Sequence, residues 1–269
     1  MMSINKLFYS GSENEITERA AMLIITEAYR AVADRGKFSL VLAGGNSPRP
    51  LYQRLAAGIE TNRLKHYGLQ LLGDARTELN EKITFMPWQQ TWLFWGDERY
   101  VPFDHPESNY KMAKDTLLMH SSIADDHLIR IDTEQPDIEK AAKEYESSIR
   151  TFFQATNNKQ MENIPVFDFV LLGLGEDGHT ASLFADNLET FRQTTQWVLA
   201  IDAPHAKPPV KRLTLTLPVI NHARNILFFT LGKDKAVLAK KIFLEEECGV
   251  PAAFVAPENG RLFWFTTQL

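Results

Sequence analysis

Four short runs of the chain are almost unbroken in hydrophobicity: Phe38–Ala43, Thr91–Trp95, Phe167–Leu172 and Ile226–Leu231. Runs of this length are how strands read when helices cover both faces of a parallel sheet. Leu128–Ile131, Trp197–Ile201, Leu213–Leu217, Ala252–Val255 and Leu262–Phe265 are further strand candidates. Between them the period lengthens. Within residues 15–34, Ile16, Ala20, Leu23, Ile24 and Ala31 recur at helical spacing with charges between them. Residues 136–154 open on Pro136 and carry Ala141, Tyr145 and Ile149, and residues 48–58 open on Pro48 and stop at Gly58. Strands alternating with helices predict an α/β fold, an open, doubly wound, mostly parallel sheet with helices on both faces. The 269 residues contain no repeat and no low-complexity stretch, and read as a single domain over 1–269. The least regular stretch, roughly 60–90, mixes charges with Gly68, Gly73 and Pro87 and is expected to be a surface excursion with one helix.

Composition narrows the functional classes. Hydrophobic residues at 44% and charged residues at 23% suffice for a full core without staples. The single cysteine, Cys248, leaves no internal disulfide, and no CxxC pair marks a structural zinc site. Cys248 falls in an expected helix-to-strand turn and is read as structural. The net charge of −5 shows no basic field of the kind nucleic-acid binders carry, so an anionic substrate requires positive charge gathered in a pocket. The first six residues, Met-Met-Ser-Ile-Asn-Lys, are expected to lack the apolar core of a signal peptide, and no apolar run approaches the roughly 20 residues of a membrane span. The expectation is a cytoplasmic enzyme with a small-molecule substrate, no nucleic-acid or membrane partner, and a monomeric or small homo-oligomeric state.

Each of the four strongest strands runs straight into a glycine followed by polar groups: Gly44-Gly45-Asn46-Ser47-Pro48, Gly96-Asp97-Glu98-Arg99, Gly173 through Thr180, and Gly232-Lys233-Asp234-Lys235. In an open parallel sheet the ligand crevice lies beyond the carboxyl ends of the strands, so these four stretches are expected to converge.

In Gly44–Pro48, paired glycines allow close approach of the backbone, and Ser47 can cap a helix whose free amides favour an anion. The same residues also suit an ordinary strand-to-helix turn. They match neither the phosphate loop of nucleotide hydrolases nor the GxGxxG fingerprint, which disfavours a nucleotide. Arg99 beside Asp97 and Glu98 suits bidentate capture of a phosphate, with the carboxylates holding it or binding sugar hydroxyls; a solvated charged turn is the plainer reading. Asp104, His105, Ser108 and Asn109 follow closely, and His105 reads as a loop residue.

Gly173–Thr180 carries the most information. Its three glycines free the backbone amides, including that of Gly175, for a developing oxyanion. His179 stands at the start of a short helix expected over Thr180–Phe184, where a helix N-terminus would keep the imidazole neutral, as a base must be. Asp177, two residues earlier, can orient the ring. The plainer reading is a helix-cap histidine without chemistry. His66, His120, His127, His205 and His222 share no spacing, no paired-ligand pattern appears, and no serine occupies a GxSxG elbow, so neither a metal nor a serine nucleophile is expected. Arg212 and Lys235 are the candidate cations for a substrate phosphate, while Lys207, Lys211 and Lys233 read as solvent-facing.

The stretches Leu42–Pro48, Phe94–Arg99, His105–Tyr110, Phe167–Phe184 and Arg212–Pro218 resemble, in order and spacing, the glucosamine-6-phosphate isomerase/6-phosphogluconolactonase family, across nearly the whole chain. Asp-Gly-His-Thr-Ala-Ser-Leu-Phe at 177–184 is the specific part, and it resembles the lactonase branch. The deaminases share Gly-Glu-Asp-Gly-His and differ after the histidine. The resemblance implies a Rossmann-like sheet and hydrolysis of 6-phosphoglucono-1,5-lactone in the oxidative pentose phosphate pathway, without metal or cofactor. By position it implies His179 as the base that activates water. Arg99, Arg212 and Lys235 would hold the phosphate with Gly44, Gly45, Asn46 and Ser47, and Asp177 and Asn109 would order the site. Three features depart from the family pattern: Asn46 where serine is usual, Ala185 where proline is usual, and the long 60–90 segment. A second reading is an isomerase or deaminase of an amino-sugar phosphate, in which Asp97 moves a proton at C2 and His179 assists ring opening. A third is a non-catalytic sugar-phosphate sensor.

Overall fold

The computed structural model describes residues 5–66, 82–154, 164–188, 192, 195–247 and 249–268. The chain opens with strand β1 (Asn5–Gly11) and helix α1 (Glu13–Arg35). Ser12 and Glu15 form a reciprocal capping box at the start of α1, and Gly36 in the left-handed region ends it. The apolar positions Ile16, Ala20, Leu23, Ile24 and Ala31 are all buried, with α1 packed on the sheet that β1 and the next strand, β2 (Phe38–Leu42), belong to. Helix α2 (Arg49–Ala57) follows. Then β3 (Ile59–Glu60), α3 (Thr61–His66) and β4 (Ile83–Thr84) carry the irregular stretch, with β3 and β4 paired antiparallel. Residues 67–81, the middle of that excursion, lie outside the described residues, as does Cys248.

The centre of the chain supplies β5 (Thr91–Trp95), β6 (Asp97–Arg99), α4 (Asn109–Thr116), β7 (Leu128–Ile129), α5 (Ile138–Gln154) and β8 (Phe169–Leu172). The last part supplies β9 (Val198–Ile201), β10 (Arg212–Leu215), α6 (Leu217–Asn221), β11 (Asn225–Thr230), α7 (Lys233–Phe243) and β12 (Arg261–Thr267).

Seven strands form one sheet in the order β1-β12-β11-β8-β2-β5-β7, and every neighbouring pair is parallel. From β2 the chain builds outward through β5 to β7. It then returns to the other side of β2 with β8 and builds outward again through β11 and β12. The winding therefore reverses between β2 and β8, and a ligand crevice is expected beyond their carboxyl ends. β2, β8 and β11 are buried along their whole length, as the unbroken apolar runs require. Between the sheet and α5, Phe94 packs edge-on against Phe152 and Phe167.

A second, three-stranded antiparallel sheet, β6-β10-β9, stands beside the first. Its position follows from Gly96, whose N–H donates to the Leu42 carbonyl in the large sheet at 2.9 Å while its carbonyl accepts from Leu215 at 2.8 Å. One residue thus passes the chain from β5 to β6.

Five expectations need correction. Asn5–Gly11 is a strand that the chain pattern does not announce, because its apolar residues are only the three in a row Leu7, Phe8 and Tyr9 and, as an edge strand, it is only partly buried. Ala252–Val255 is no strand: Pro251 opens a 3-10 turn there. The strand expected over Leu213–Leu217 stops at Leu215, since α6 starts at Leu217 with Pro218 in its first turn. Residues Thr180–Phe184 form no helix. Thr180 and Leu183 face each other in a tight turn, with Ala181 at φ 48° and Phe184 extended. The helix-end reason for a neutral His179 therefore falls away. Helix α2 begins at Arg49, and Ser47 does not cap it.

Candidate active site

A cavity of about 260 Å³ opens beyond the carboxyl ends of β2 and β8. All four strand-end loops reach it: Gly44–Ser47 after β2, Asp97 and Arg99 after β5, Gly173–Gly175 and His179–Ala181 after β8, and Lys235 after β11. Arg212 of β10 and Lys207 complete the wall.

His179 is held by its own loop. Its Nδ1 lies 2.5 Å from Asp177 Oδ1, which also accepts from the His179 N–H at 3.2 Å. The imidazole hydrogen bond, together with the neighbouring charge, holds the Asp177 carboxyl below its usual value against the opposing effect of burial. An ionised Asp177 accepts a hydrogen bond from Nδ1–H, the tautomer in which Nε2 carries the lone pair. Phe184 flanks the ring at 4.7 Å between centroids. Gly175 makes this placement possible: a Cβ there would stand 2.1 Å from His179 Nδ1 and 2.6 Å from Asp177 Oδ1. Gly175→Ala is therefore expected to push the ring aside and to cost roughly 100-fold in kcat, the scale of a 1 Å misplacement, with the far-UV spectrum unchanged. A wild-type rate in this variant would contradict the assigned ring position.

The amides of this loop are not free as expected. The Gly175 N–H donates to the His179 carbonyl at 2.8 Å, and the Gly178 N–H to the Gly175 carbonyl at 3.1 Å. Both hydrogen bonds shape the turn and so withdraw these donors from any oxyanion. The loop after β2 is different. Among the described residues, the N–H groups of Gly44, Gly45, Asn46 and Ser47 meet no acceptor, and no side chain caps α2. Ser47 Oγ points instead to the Leu231 N–H at 3.4 Å, and Asn46 Oδ1 accepts from Arg49 Nε at 3.2 Å. An anion seated here would meet the N–H groups of Gly44–Ser47, whereas the start of α2 itself offers few, since Pro48 and Pro50 carry none and the Arg49 N–H donates to the Asn46 carbonyl at 3.3 Å.

Arg99 and Arg212 stand directly opposite each other on β6 and β10. Like charges in that register repel, and Arg212 is buried. The Nε of each guanidinium is buried without a partner. Arg99 Nη1 donates to the Glu107 carbonyl at 2.6 Å and Arg212 Nη2 to the Pro208 carbonyl at 3.1 Å. Burial pulls the Arg212 guanidinium below its ordinary value and Arg99 adds to this, while Asp97 opposes both. Paired cations with unfilled donors are costly in an empty site and become favourable around a dianion.

One residue lies elsewhere than the sequence suggested. Lys207, read as solvent-facing, lines the cavity, because the Arg212–Pro208 hydrogen bond ties its loop over the crevice. Asn109 is buried behind the wall: its Nδ2 donates to the Asp97 carbonyl at 2.9 Å and approaches Asp97 Oδ1 at 3.3 Å. His105 is exposed, with Nδ1 accepting from the Glu107 N–H. Among the described residues no group of three or more His, Cys, Asp or Glu side chains is placed to hold a metal, and no helix is long and apolar enough to cross a membrane.

Glu98 organises the far side of this wall. Its carboxylate accepts from the N–H groups of Arg99, Asn109 and Tyr110, each at 2.7 Å, and from Ser108 Oγ at 3.2 Å, which ties β6 to the start of α4. Burial nevertheless pushes its carboxyl up to about 7, against those N–H groups, which lower it. A raised value means that the fold favours the neutral form. That stabilisation is complete below the ordinary 4.5 and is lost as pH rises through about 7. Measured by melting at fixed ionic strength, the wild type is expected to lose stability relative to Glu98→Gln over this window. A pH-independent gap between the two proteins would contradict the shift.

The sequence model of the family described as glucosamine-6-phosphate isomerases/6-phosphogluconolactonase matches residues 11–264. The chain belongs to this family. A relative from Synechocystis sp. named 6-phosphogluconolactonase is 34% identical, over 94% of this chain and 91% of its own. A human relative of the same name is 35% identical, over 96% of this chain and 89% of its own. The crystal structure of 6-phosphogluconolactonase from Thermotoga maritima superposes with a TM-score of 0.77 at 30% identity, covering 98% of this chain and 100% of that one. The seven-stranded parallel sheet is thus the family's fold.

Proposed function

We propose that this protein hydrolyses 6-phospho-D-glucono-1,5-lactone to 6-phosphogluconate, the lactone-opening step of the oxidative pentose phosphate pathway. The observation that carries this reading is one cavity in which an Asp177-oriented His179 faces a wall of Arg99, Arg212, Lys207 and Lys235. Relatives named for this activity, matched along almost their whole length, support the same substrate.

The phosphate sits between Arg99 and Arg212 and the N–H groups of Gly44–Ser47, with Lys207 and Lys235 adding charge. This placement brings the lactone carbonyl towards His179. Nε2 takes a proton from water as the water oxygen bonds to C1. The carbonyl electrons move to its oxygen, where the cationic lining stabilises the charge. When the carbonyl reforms, the C1 bond to the ring oxygen breaks, and the imidazolium returns its proton to that oxygen as a hydroxyl. The new carboxyl group ionises and releases one proton. These steps draw only on the chain's own groups. The reading includes a cytoplasmic location, which suits a chain with a single cysteine.

The isomerase or deaminase alternative needs Asp97 free to move a proton. Its carboxylate instead accepts from Ser182 Oγ at 2.6 Å and meets the Asn109 amide. Purified protein is expected to accelerate lactone hydrolysis above the spontaneous rate and to release no ammonia from glucosamine 6-phosphate; the opposite pattern would favour the deaminase.

A further inference from the structure

We infer that Asp97 is a positioning residue that joins the two halves of the crevice, setting the His179 turn through Ser182 and the anion loop through Asn109. The inference rests on the lactonase reading for its kinetic readout and on geometry for the rest.

Asp97 lies on β6, next to the residue that passes the chain between the two sheets. Its Oδ2 accepts from Ser182 Oγ at 2.6 Å, and the Ser182 N–H donates to Thr214 Oγ1 at 3.2 Å. Thr214 is the residue opposite Asp97 across the β6–β10 pair. Ser182 is fully buried and stands three residues beyond His179, with Ala181 between them at φ 48°. That conformation is uncommon for a residue with a side chain and persists only where its surroundings impose it. The two hydrogen bonds on Ser182 are what impose it here, and they hold the downstream end of the turn as Asp177 holds the ring.

The other arm runs through Asn109. Its N–H is fixed by Glu98 and its Nδ2 by Asp97. Its amide group occupies the space beside Gly44 that a Cβ would need, 2.1 to 2.3 Å from the Asn109 amide atoms. The loop that offers free N–H groups to an anion therefore leans on a side chain that Asp97 holds. Neither Ser182 nor Asn109 lines the cavity, so both act through the loops they support.

The two arms are separable by experiment. Ser182→Ala is expected to lower kcat about tenfold, the worth of one charge-assisted hydrogen bond, and to change KM far less. Asn109→Ala is expected to raise KM about tenfold and to lower kcat far less. Asp97→Asn is expected to show both effects. Two readouts need no turnover. Ser182→Ala is expected to shift the titration of the His179 ring followed by NMR while keeping the affinity for inorganic phosphate, and Asn109→Ala to do the reverse. If Ser182→Ala does not fold, Ser182→Cys, which keeps the volume and weakens the donor, replaces it. Restoration of kcat by Ser182→Thr would support the hydroxyl as the acting group. The inference is overturned if Ser182→Ala and Asn109→Ala change kcat and KM in equal proportion, following their loss of melting temperature, or if both behave as wild type while Asp97→Asn alone fails. If the wild type opens no lactone yet the NMR and phosphate effects still separate, the lactonase reading fails and the positioning role stands.

Discussion

His179→Ala is expected to lower kcat for lactone hydrolysis by about 10²–10⁴-fold, with little change in the affinity for the phosphorylated product. The size follows from what the ring alone supplies. In the proposed mechanism its Nε2 is the base, and the side chain, which lines the cavity, is oriented by Asp177 and flanked by Phe184. The lactone also opens without an enzyme, so the rate must be read above the spontaneous background at the same pH. Asp177→Asn is expected to fall between the wild type and the alanine variant. The Asp177 side chain is 64% exposed, so solvent screens the pair and the ring keeps part of its orientation. A His179→Ala rate close to wild type would remove the histidine from the mechanism.

Arg212→Ala carries the second large effect, on KM rather than kcat. A hydrogen bond to a charged group is worth about 1.5–3 kcal/mol, so losing the buried guanidinium is expected to raise KM roughly 10- to 150-fold. The same change also relieves a repulsion, because Arg212 faces Arg99 across the β6–β10 pair and its Nε meets no partner. The variant is therefore expected to melt close to the wild type without ligand. Inorganic phosphate, which should raise the wild-type melting temperature, should raise that of the variant much less. An unchanged KM, or an undiminished response to phosphate, would take Arg212 out of the anion site.

Much of this arrangement is legible along the chain because parallel strands buried on both faces leave an unmistakable apolar signature. β2, β5, β8 and β11 carry it, and the polar residues that follow them mark the working edge of the sheet. The features that were not legible depend on contacts between distant segments. β1 is an edge strand whose short apolar run, Leu7-Phe8-Tyr9, gives little local signal. The turn after His179 resembles a short helix in composition, yet hydrogen bonds from Ser182 to Asp97 and Thr214 pull it into a strained loop. Ser47 sits where a cap belongs, and only the three-dimensional arrangement shows it turned towards Leu231 and the helix left open. Lys207 looks like any lysine in a proline-rich loop until Arg212 draws that loop over the cavity. Asn109 is implied by the resemblance to order the site, and only the structure shows how: its buried amide supports Gly44 from behind.

The same separation explains why composition gives a misleading picture of the site. A net charge of −5 suits no anion, yet four cationic side chains converge on one small cavity. Two of them, Arg99 and Arg212, are brought together only by the antiparallel pairing of β6 and β10, and their sequence separation hides it. Stability is given up locally for this purpose, as buried like charges and unfilled donors require.

The most direct test is the time course of lactone opening by the purified protein, with 6-phosphoglucono-1,5-lactone and the unphosphorylated gluconolactone measured side by side and the spontaneous rate subtracted. The account predicts rapid hydrolysis of the phosphorylated lactone and a far smaller kcat/KM for the other. No acceleration of either lactone over its spontaneous rate, or equal kcat/KM for both, would contradict it.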